Sequence, residues 1–218
     1  TFAYELVHDN MPAPCGAQEP IPANDLEPAR VFSTFPQSHA VAEFGFQFLN
    51  SMLSKSIVTL EGMDDEAKET LSMLEPFLLE ASLALRSRFE SFTLVALKAA
   101  QRLIRLPLRY RAMVANNITA TVLEVLSRSC GSSGVGSTRS VITAKNTSGA
   151  DLFQTCLRAA AVIIQEVGRL QDGNVKDDLV RGIINIARES LTDTSVDTRN
   201  AALVFLRNVV NAKFVAPE

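Results

Sequence analysis

The sequence predicts an all-α chain of paired helices, an α-solenoid preceded by an extended N-terminal arm, and three observations carry that expectation. Apolar residues recur at intervals of three and four along seven segments between Ser38 and Asn211. No segment sustains the two-residue alternation of a half-buried strand. Six of the nine prolines, at 12, 14, 20, 22, 28 and 36, crowd into the first 37 residues.

Proline has no amide donor and turns its predecessor away from the helical region, so residues 1–37 read as an arm or linker with little regular structure. Two readings of it stay open: a disordered spacer, or an arm that lies on a partner through apolar residues such as Phe2, Leu6, Val31, Phe32 and Phe35. Residues 38–218 read as the helical repeats.

The first helix, near 38–56, sets Val41, Phe44, Phe48, Leu49, Met52 and Leu53 in one stripe. The second follows Asp64 and Asp65, which can cap it, and runs to about 86 with Leu71, Leu74, Phe77, Leu78, Ala81 and Leu85 inward. Pro76 within it predicts a kink or a late start. The third, near 89–105, uses Phe92, Val95, Ala96, Ala99, Leu103 and Ile104, and Pro107 closes it. The fourth, about 109–129, uses Met113, Ile118, Val122, Val125 and Leu126. A Gly/Ser-rich stretch at 130–150 reads as a long flexible loop. The fifth helix, about 151–170, buries Phe153, Cys156, Leu157, Ala160, Ile163, Ile164 and Val167. The sixth, about 174–190, starts at the cap Asn174 and buries Leu179, Val180, Ile183, Ile184 and Ala187. The seventh, about 195–211, turns in Ala201, Ala202, Leu206, Val209 and Val210.

A repeat underlies the second helix of each pair. Residues 93–104 read TLVALKAAQRLI, 155–164 read TCLRAAAVII and 198–210 read TRNAALVFLRNVV. Each opens on Thr and reaches Ala three or four residues on, at 96, 159 and 201, where a small side chain lets two helices approach closely. The Thr-to-Thr intervals are 62 and 43 residues. Removing the Gly/Ser loop, about 20 residues, brings the first near the second, and a period of about 40 is that of HEAT and armadillo helical pairs. Asp193, Thr198, Arg199 and Ala202 add a HEAT-like turn in which Asp can cap the second helix and Arg can tie neighbouring turns. A compact helical bundle is the competing architecture. The stretch from Val209 to Val215 shows no evident polar cap, and with the missing initiator Met at Thr1 it suggests an excerpt of a longer array.

Composition narrows the function. The chain of 218 residues is 47% hydrophobic, enough for a packed core, and no apolar run approaches the about 18 residues of a membrane span. There is no basic-then-apolar leader. Net charge is −3, but residues 1–37 hold five acids and one base, leaving 20 bases and 19 acids for the rest. A near-neutral body is not the profile of a dedicated nucleic-acid-binding domain, so any RNA contact is expected to be local. Cys15, Cys130 and Cys156 form neither a disulfide framework nor a metal-binding pair and point to a reducing compartment.

No catalytic constellation is expected. Gly131 to Thr138, GSSGVGST, mimics a phosphate-binding loop but has Ser137 where that motif needs Lys, and a helix rather than a strand precedes it. His8 and His39 lack partners at ligand spacing, so neither a metal site nor His-dependent nucleophilic catalysis is expected. Glu75, Glu80 and Glu90 are expected on solvated faces. No cofactor and no small-molecule substrate is expected. One cluster stands out: Arg102, Arg105, Arg109 and Arg111 surround Pro107, with Lys98 upstream. Guanidinium groups at one rim can grip phosphates bidentately; alternatively they are a solvated face at a helix C-terminus, where the dipole favours bases.

Residues 71–107, LSMLEPFLLEASLALRSRFESFTLVALKAAQRLIRLP, resemble a repeat of the DRIM family, component 20 of the small-subunit processome. The similarity lies in Leu74-Glu75-Pro76-Phe77, Ser82-Leu83, Leu97 and the closing Leu106-Pro107-Leu108. The order in 109–170, a helix, a Gly-rich loop and a long amphipathic helix, resembles that family too, as does the string ending Lys213-Phe214-Val215-Ala216-Pro217. The resemblance covers about 38–218, excludes the arm, rests mostly on packing positions, and departs at the Ser-rich loop. It implies a non-enzymatic nucleolar scaffold of early small-ribosomal-subunit assembly, whose partners are pre-ribosomal RNA, the small nucleolar RNA particle and other assembly factors. A HEAT-repeat adaptor of another class, a transport receptor or the regulatory subunit of an enzyme complex, is the alternative.

Overall fold

The computed structural model describes residues 2–13, 32–55, 65–131, 147–167 and 175–211, and among them the regular structure is α-helical. The helices are α1 (Phe2–His8), α2 (Ser38–Lys55), α3 (Asp65–Ala84), α4 (Glu90–Leu103), α5 (Arg111–Gly131), α6 (Thr147–Val167), α7 (Asp177–Ser190) and α8 (Val196–Asn211). Among the described residues one isolated bridge pairs Pro12 with Ser33, where the Ser33 amide donates to the Met11 carbonyl at 2.9 Å.

The helices alternate between two rows. In one, α3 packs on α1, α5 on α3 and α7 on α5; in the other, α4 packs on α2, α6 on α4 and α8 on α6. Across the rows α1 meets α2, α3 meets α4, α5 meets α6 and α7 meets α8, and every substantial helix contact among the described residues is one of these. The seam between the rows is one hydrophobic cluster whose largest fully buried members include Phe46, Phe92 and Phe205.

The repeat positions are buried. Thr93, Thr155 and Thr198 are enclosed, as are Ala96, Ala159 and Ala201. Thr93 shows why a hydroxyl is tolerated there: its Oγ1 donates to the Phe89 carbonyl at 3.2 Å, so it enters the core without an unmet polar group. The turn before α8 differs from the expected cap. Asp193 Oδ1 accepts from the Ser195 amide at 2.8 Å, and Ser195 Oγ, not Asp193, accepts from the Thr198 amide inside the helix at 3.3 Å. Arg199 donates to the Asp193 and Thr194 carbonyls, at 2.7 and 3.0 Å, and so binds its own turn rather than a neighbouring one.

The arm is partly structured, contrary to the extended reading of residues 1–37. Residues 2–8, which precede the first proline, form α1, which packs on α2 and α3 and buries Val7, with Met11 just beyond it. It approaches closely because Gly45 lies beneath it: a Cβ there would come within 2.7 Å of Val7 Cγ2. Of the apolar arm residues, Phe32 packs against the core, Phe2 and Phe35 are exposed, and Val31 lies outside the described residues.

Contact with α1 also corrects the expected face of α2 in part. Ser38, Ala42, Gly45 and Phe46 are buried, as is the expected Leu49, and Leu53 packs against the core, while Val41, Phe44, Phe48 and Met52 are exposed. Met113 and Val210 are likewise exposed, and Phe205 takes the core position in α8. α3 begins at Asp65 and runs through Pro76 to Ala84, so the late start at that proline does not occur. Around the expected loop at 130–150, α5 extends to Gly131 and α6 begins at Thr147; residues 132–146, most of the GSSGVGST string among them, lie outside the described residues, as does Asn174. α7 starts instead at Asp177, with two acids in its first turn and Arg188 in its last, matching the helix dipole at both ends.

Candidate nucleic-acid interface

The four arginines around Pro107 are brought to one place, the turn between α4 and α5, and the structure divides them. α4 ends at Leu103, and the Ile104 amide donates to the Ala100 carbonyl, closing the last turn. Arg102, in that turn, is half-buried. Its Nη1 donates to the backbone carbonyl of Asn50 and, at 3.2 Å, to Asn50 Oδ1, while Asn50 Nδ2 donates to the Val95 carbonyl at 3.1 Å. Arg102 therefore ties α4 to α2, with its charge engaged by a neighbouring carbonyl pair.

Arg111, at the start of α5, donates from Nη1 to the Leu106 carbonyl at 3.3 Å and fastens the turn on itself. Arg109 is exposed; its backbone amide donates to Glu75 Oε1 of α3 at 2.8 Å, and its guanidinium stands 5.4 Å from the centroid of the Tyr110 ring. Arg105, in the turn just beyond α4, is exposed, and so is Lys98 of α4. Three basic side chains, Lys98, Arg105 and Arg109, are thus available to an anion, whereas Arg102 and Arg111 hold the scaffold that presents them. The C-terminal end of α4 lowers the cost of gathering positive charge there.

Elsewhere the polar groups serve packing. Glu80 is not on a solvated face: it is 3% exposed, and its Oε1 lies 2.8 Å from His8 Nδ1, with Tyr4 Oη 3.1 Å from the same nitrogen. Tyr4 also stacks on His8 and meets Phe77 edge-on, so this polar contact lies within the joint of α1 with α3. It was illegible in the sequence because 72 residues separate the partners. His39 stacks flat on Phe89 at 3.6 Å between centroids. Cys156 is fully buried, and desolvation pushes its thiol up to about 12, which keeps it protonated and inert at neutral pH. The described residues contain no group of three His, Cys, Asp or Glu side chains placed to hold a metal, and no helix among them is long and apolar enough to cross a membrane.

No family model, no curated protein and no solved structure matches the chain.

Proposed function

We propose that this chain is a non-enzymatic scaffold, a run of HEAT-like helical pairs forming an α-solenoid, which acts in the nucleolus in small-subunit processing and assembly by holding protein and pre-ribosomal RNA partners. The observation that carries the reading is the two-row packing, in which every substantial helix contact among the described residues is with a pair partner or a row neighbour. Such a layout spreads its surface along the stack, the layout of a protein that works by contact. The buried Thr and Ala of α4, α6 and α8, at matching places in stacked helices, support the repeat reading. The nucleolar assignment rests on the resemblance of residues 71–107 to the DRIM family. Within it, Lys98, Arg105 and Arg109 serve as a local phosphate-contacting rim, and Arg102 and Arg111 position the turn.

The test is affinity purification of the full chain from nucleolar extract with sequencing of the bound RNA. Precursor of the small-subunit ribosomal RNA is the expected enrichment. Recovery of transport cargo or an enzyme's catalytic subunit without that RNA would favour the adaptor of another class. The double variant Arg105→Glu/Arg109→Glu is expected to weaken RNA association and to flatten its salt dependence by about one unit of slope for each phosphate no longer neutralised, with unchanged thermal stability. RNA binding that survives both charge reversals removes the rim from the proposal.

A further inference from the structure

The joint of α2 with α4 carries a polar contact at its surface. Ser91, exposed in the first turn of α4, donates from Oγ to Glu43 Oε2 of α2 at 2.9 Å. The other oxygen of that carboxylate accepts from Gln47 Nε2 at 3.0 Å. Just before Ser91 the chain leaves α3 and runs without helix through residues 85–89, with Phe89 extended at φ −93° and ψ 107°. Two arginines stand in this turn, Arg86 and Arg88, both exposed. They precede Ser91 by five and three residues, in the order Arg86-Ser87-Arg88-Phe89-Glu90-Ser91. Among the described residues no other exposed serine or threonine has a base at either position.

That spacing has a chemical reading. A protein kinase takes its substrate as an extended chain, and residues two apart on such a chain point to the same side. The guanidinium groups of Arg86 and Arg88 can therefore meet one acidic surface. Access requires little unwinding: the amides of the first turn of a helix have no intrahelical partner, and the Thr93 amide, two residues after Ser91, donates to the Phe89 carbonyl at 3.0 Å. The kinase must hold the chain from its upstream side, because Phe92, the residue after the acceptor, is fully buried.

We propose that Ser91 is a phosphorylation site for a kinase that recognises arginines ahead of the acceptor, and that the phosphate opens the joint of α2 with α4. Ser91 Oγ attacks the γ-phosphorus of ATP, and the Oγ–P bond forms as the bond from that phosphorus to the bridging β–γ oxygen breaks. ADP leaves with the electron pair, and the hydroxyl proton passes to the carboxylate of the kinase's catalytic loop. Glu43 then loses its donor and faces an ester carrying a charge of about −1.5 to −2 at neutral pH. Glu90, adjoining Ser91, adds a further acid to the α4 side. Arg88 is the base nearest in sequence. Its guanidinium stands 4.9 Å from the centroid of the Phe89 ring, which stacks in turn on His39 of α2, so a phosphate that draws Arg88 to itself disturbs that second contact as well.

The test uses the full chain, ATP and a purified protein kinase selective for arginine three and five residues before serine. The product is mapped by mass spectrometry and melted by circular dichroism. One phosphate on Ser91 is expected. Arg86→Ala and Arg88→Ala are each expected to slow its incorporation by about tenfold, the effect of one charge-assisted hydrogen bond to the kinase, and to leave the melting temperature unchanged. The phosphorylated chain is expected to melt about 2–4 °C below the unmodified one, with faster amide hydrogen exchange in the first half of α2. Glu43→Gln, which puts an amide donor in place of the carboxylate, is expected to be phosphorylated equally and to show a smaller drop on phosphorylation. A Ser91 that accepts phosphate only after heat denaturation, incorporation indifferent to both arginines, or a phosphorylated chain that melts and exchanges as the unmodified one does would each overturn the proposal.

Discussion

α4 and α2 are neighbours in the same row and similar in apolar content, yet they bury it differently. α4 has a neighbour on each flank and encloses Phe92, Ala96, Leu97, Ala99, Ala100 and Leu103. Among the described residues α2 has a row neighbour on one flank only, and it leaves two phenylalanines, a valine and a methionine exposed. What distinguishes them is position in the stack: a helix in the middle of a row covers its apolar surface with two neighbours, and a helix at its end leaves part of that surface bare. α6 and α8 repeat the contrast at the other end, small alanines at 159, 160 and 161 buried in α6 against Val196, Leu203 and Val210 exposed in α8.

The sharpest way to break this comparison is to truncate one phenylalanine of each kind. Phe92 is fully buried with its ring 5.8 Å from that of Phe46, and Phe92→Ala is expected to cost about 3–5 kcal/mol in urea unfolding. Phe48→Ala, on the free flank of α2, is expected to stay within about 0.5 kcal/mol of the parent in dilute solution. Equal losses for the two would mean that the ends are as enclosed as the middle.

A titration probes the middle of the row independently. The Cys156 thiol is raised by burial from 9.0 to about 12. Its contribution is therefore fully present below pH 9.0 and is lost as pH climbs toward about 12, because the unfolded thiol ionises first and draws the chain toward the unfolded state. Cys156→Ala should lack that share of the alkaline decline, read as the difference between the two stability–pH curves. Parallel curves would place the thiol in water.

Two smaller changes test the joints. Gly45→Leu forces a side chain into the 2.7 Å approach of Val7 and is expected to cost about 1–3 kcal/mol, with faster amide hydrogen exchange confined to α1. Unchanged exchange in residues 2–8 would show that α1 is not seated there. Ser195→Ala removes the cap of α8 and is expected to lower stability by about 1 kcal/mol, whereas Asp193→Ala should cost less, since Asp193 braces the turn without capping the helix. Equal effects would restore Asp193 as the cap.

These contrasts also explain what could be read in the sequence. Periodicity identified the inward face wherever one arc of a helix was apolar, as with Cys156, Leu157, Ala160, Ile163 and Ile164 in α6. It placed only Leu49 and Leu53 of α2 correctly, because apolar residues cover a wide arc of that helix, and the arc carrying Phe44 and Phe48 drew the assignment while Ala42 and Gly45 turned inward to admit α1. α1 itself was hidden by the prolines that follow it. The basic cluster was legible as a position. Its division into holding and presenting arginines was not, because Asn50 and Arg102 meet across 52 residues of chain.

The two-row packing has a mechanical consequence. Every substantial helix contact among the described residues is with an adjacent helix, so a pull along the stack is resisted pair by pair and not by the core as a whole. α1, held by Val7, Met11 and the contact of His8 with Glu80, is the first catch at the N-terminal side. Past it, each helix released exposes the next, and extension under load is expected to proceed in steps of about one helical pair, an elastic element whose give is set by the weakest joint and not by the total area buried.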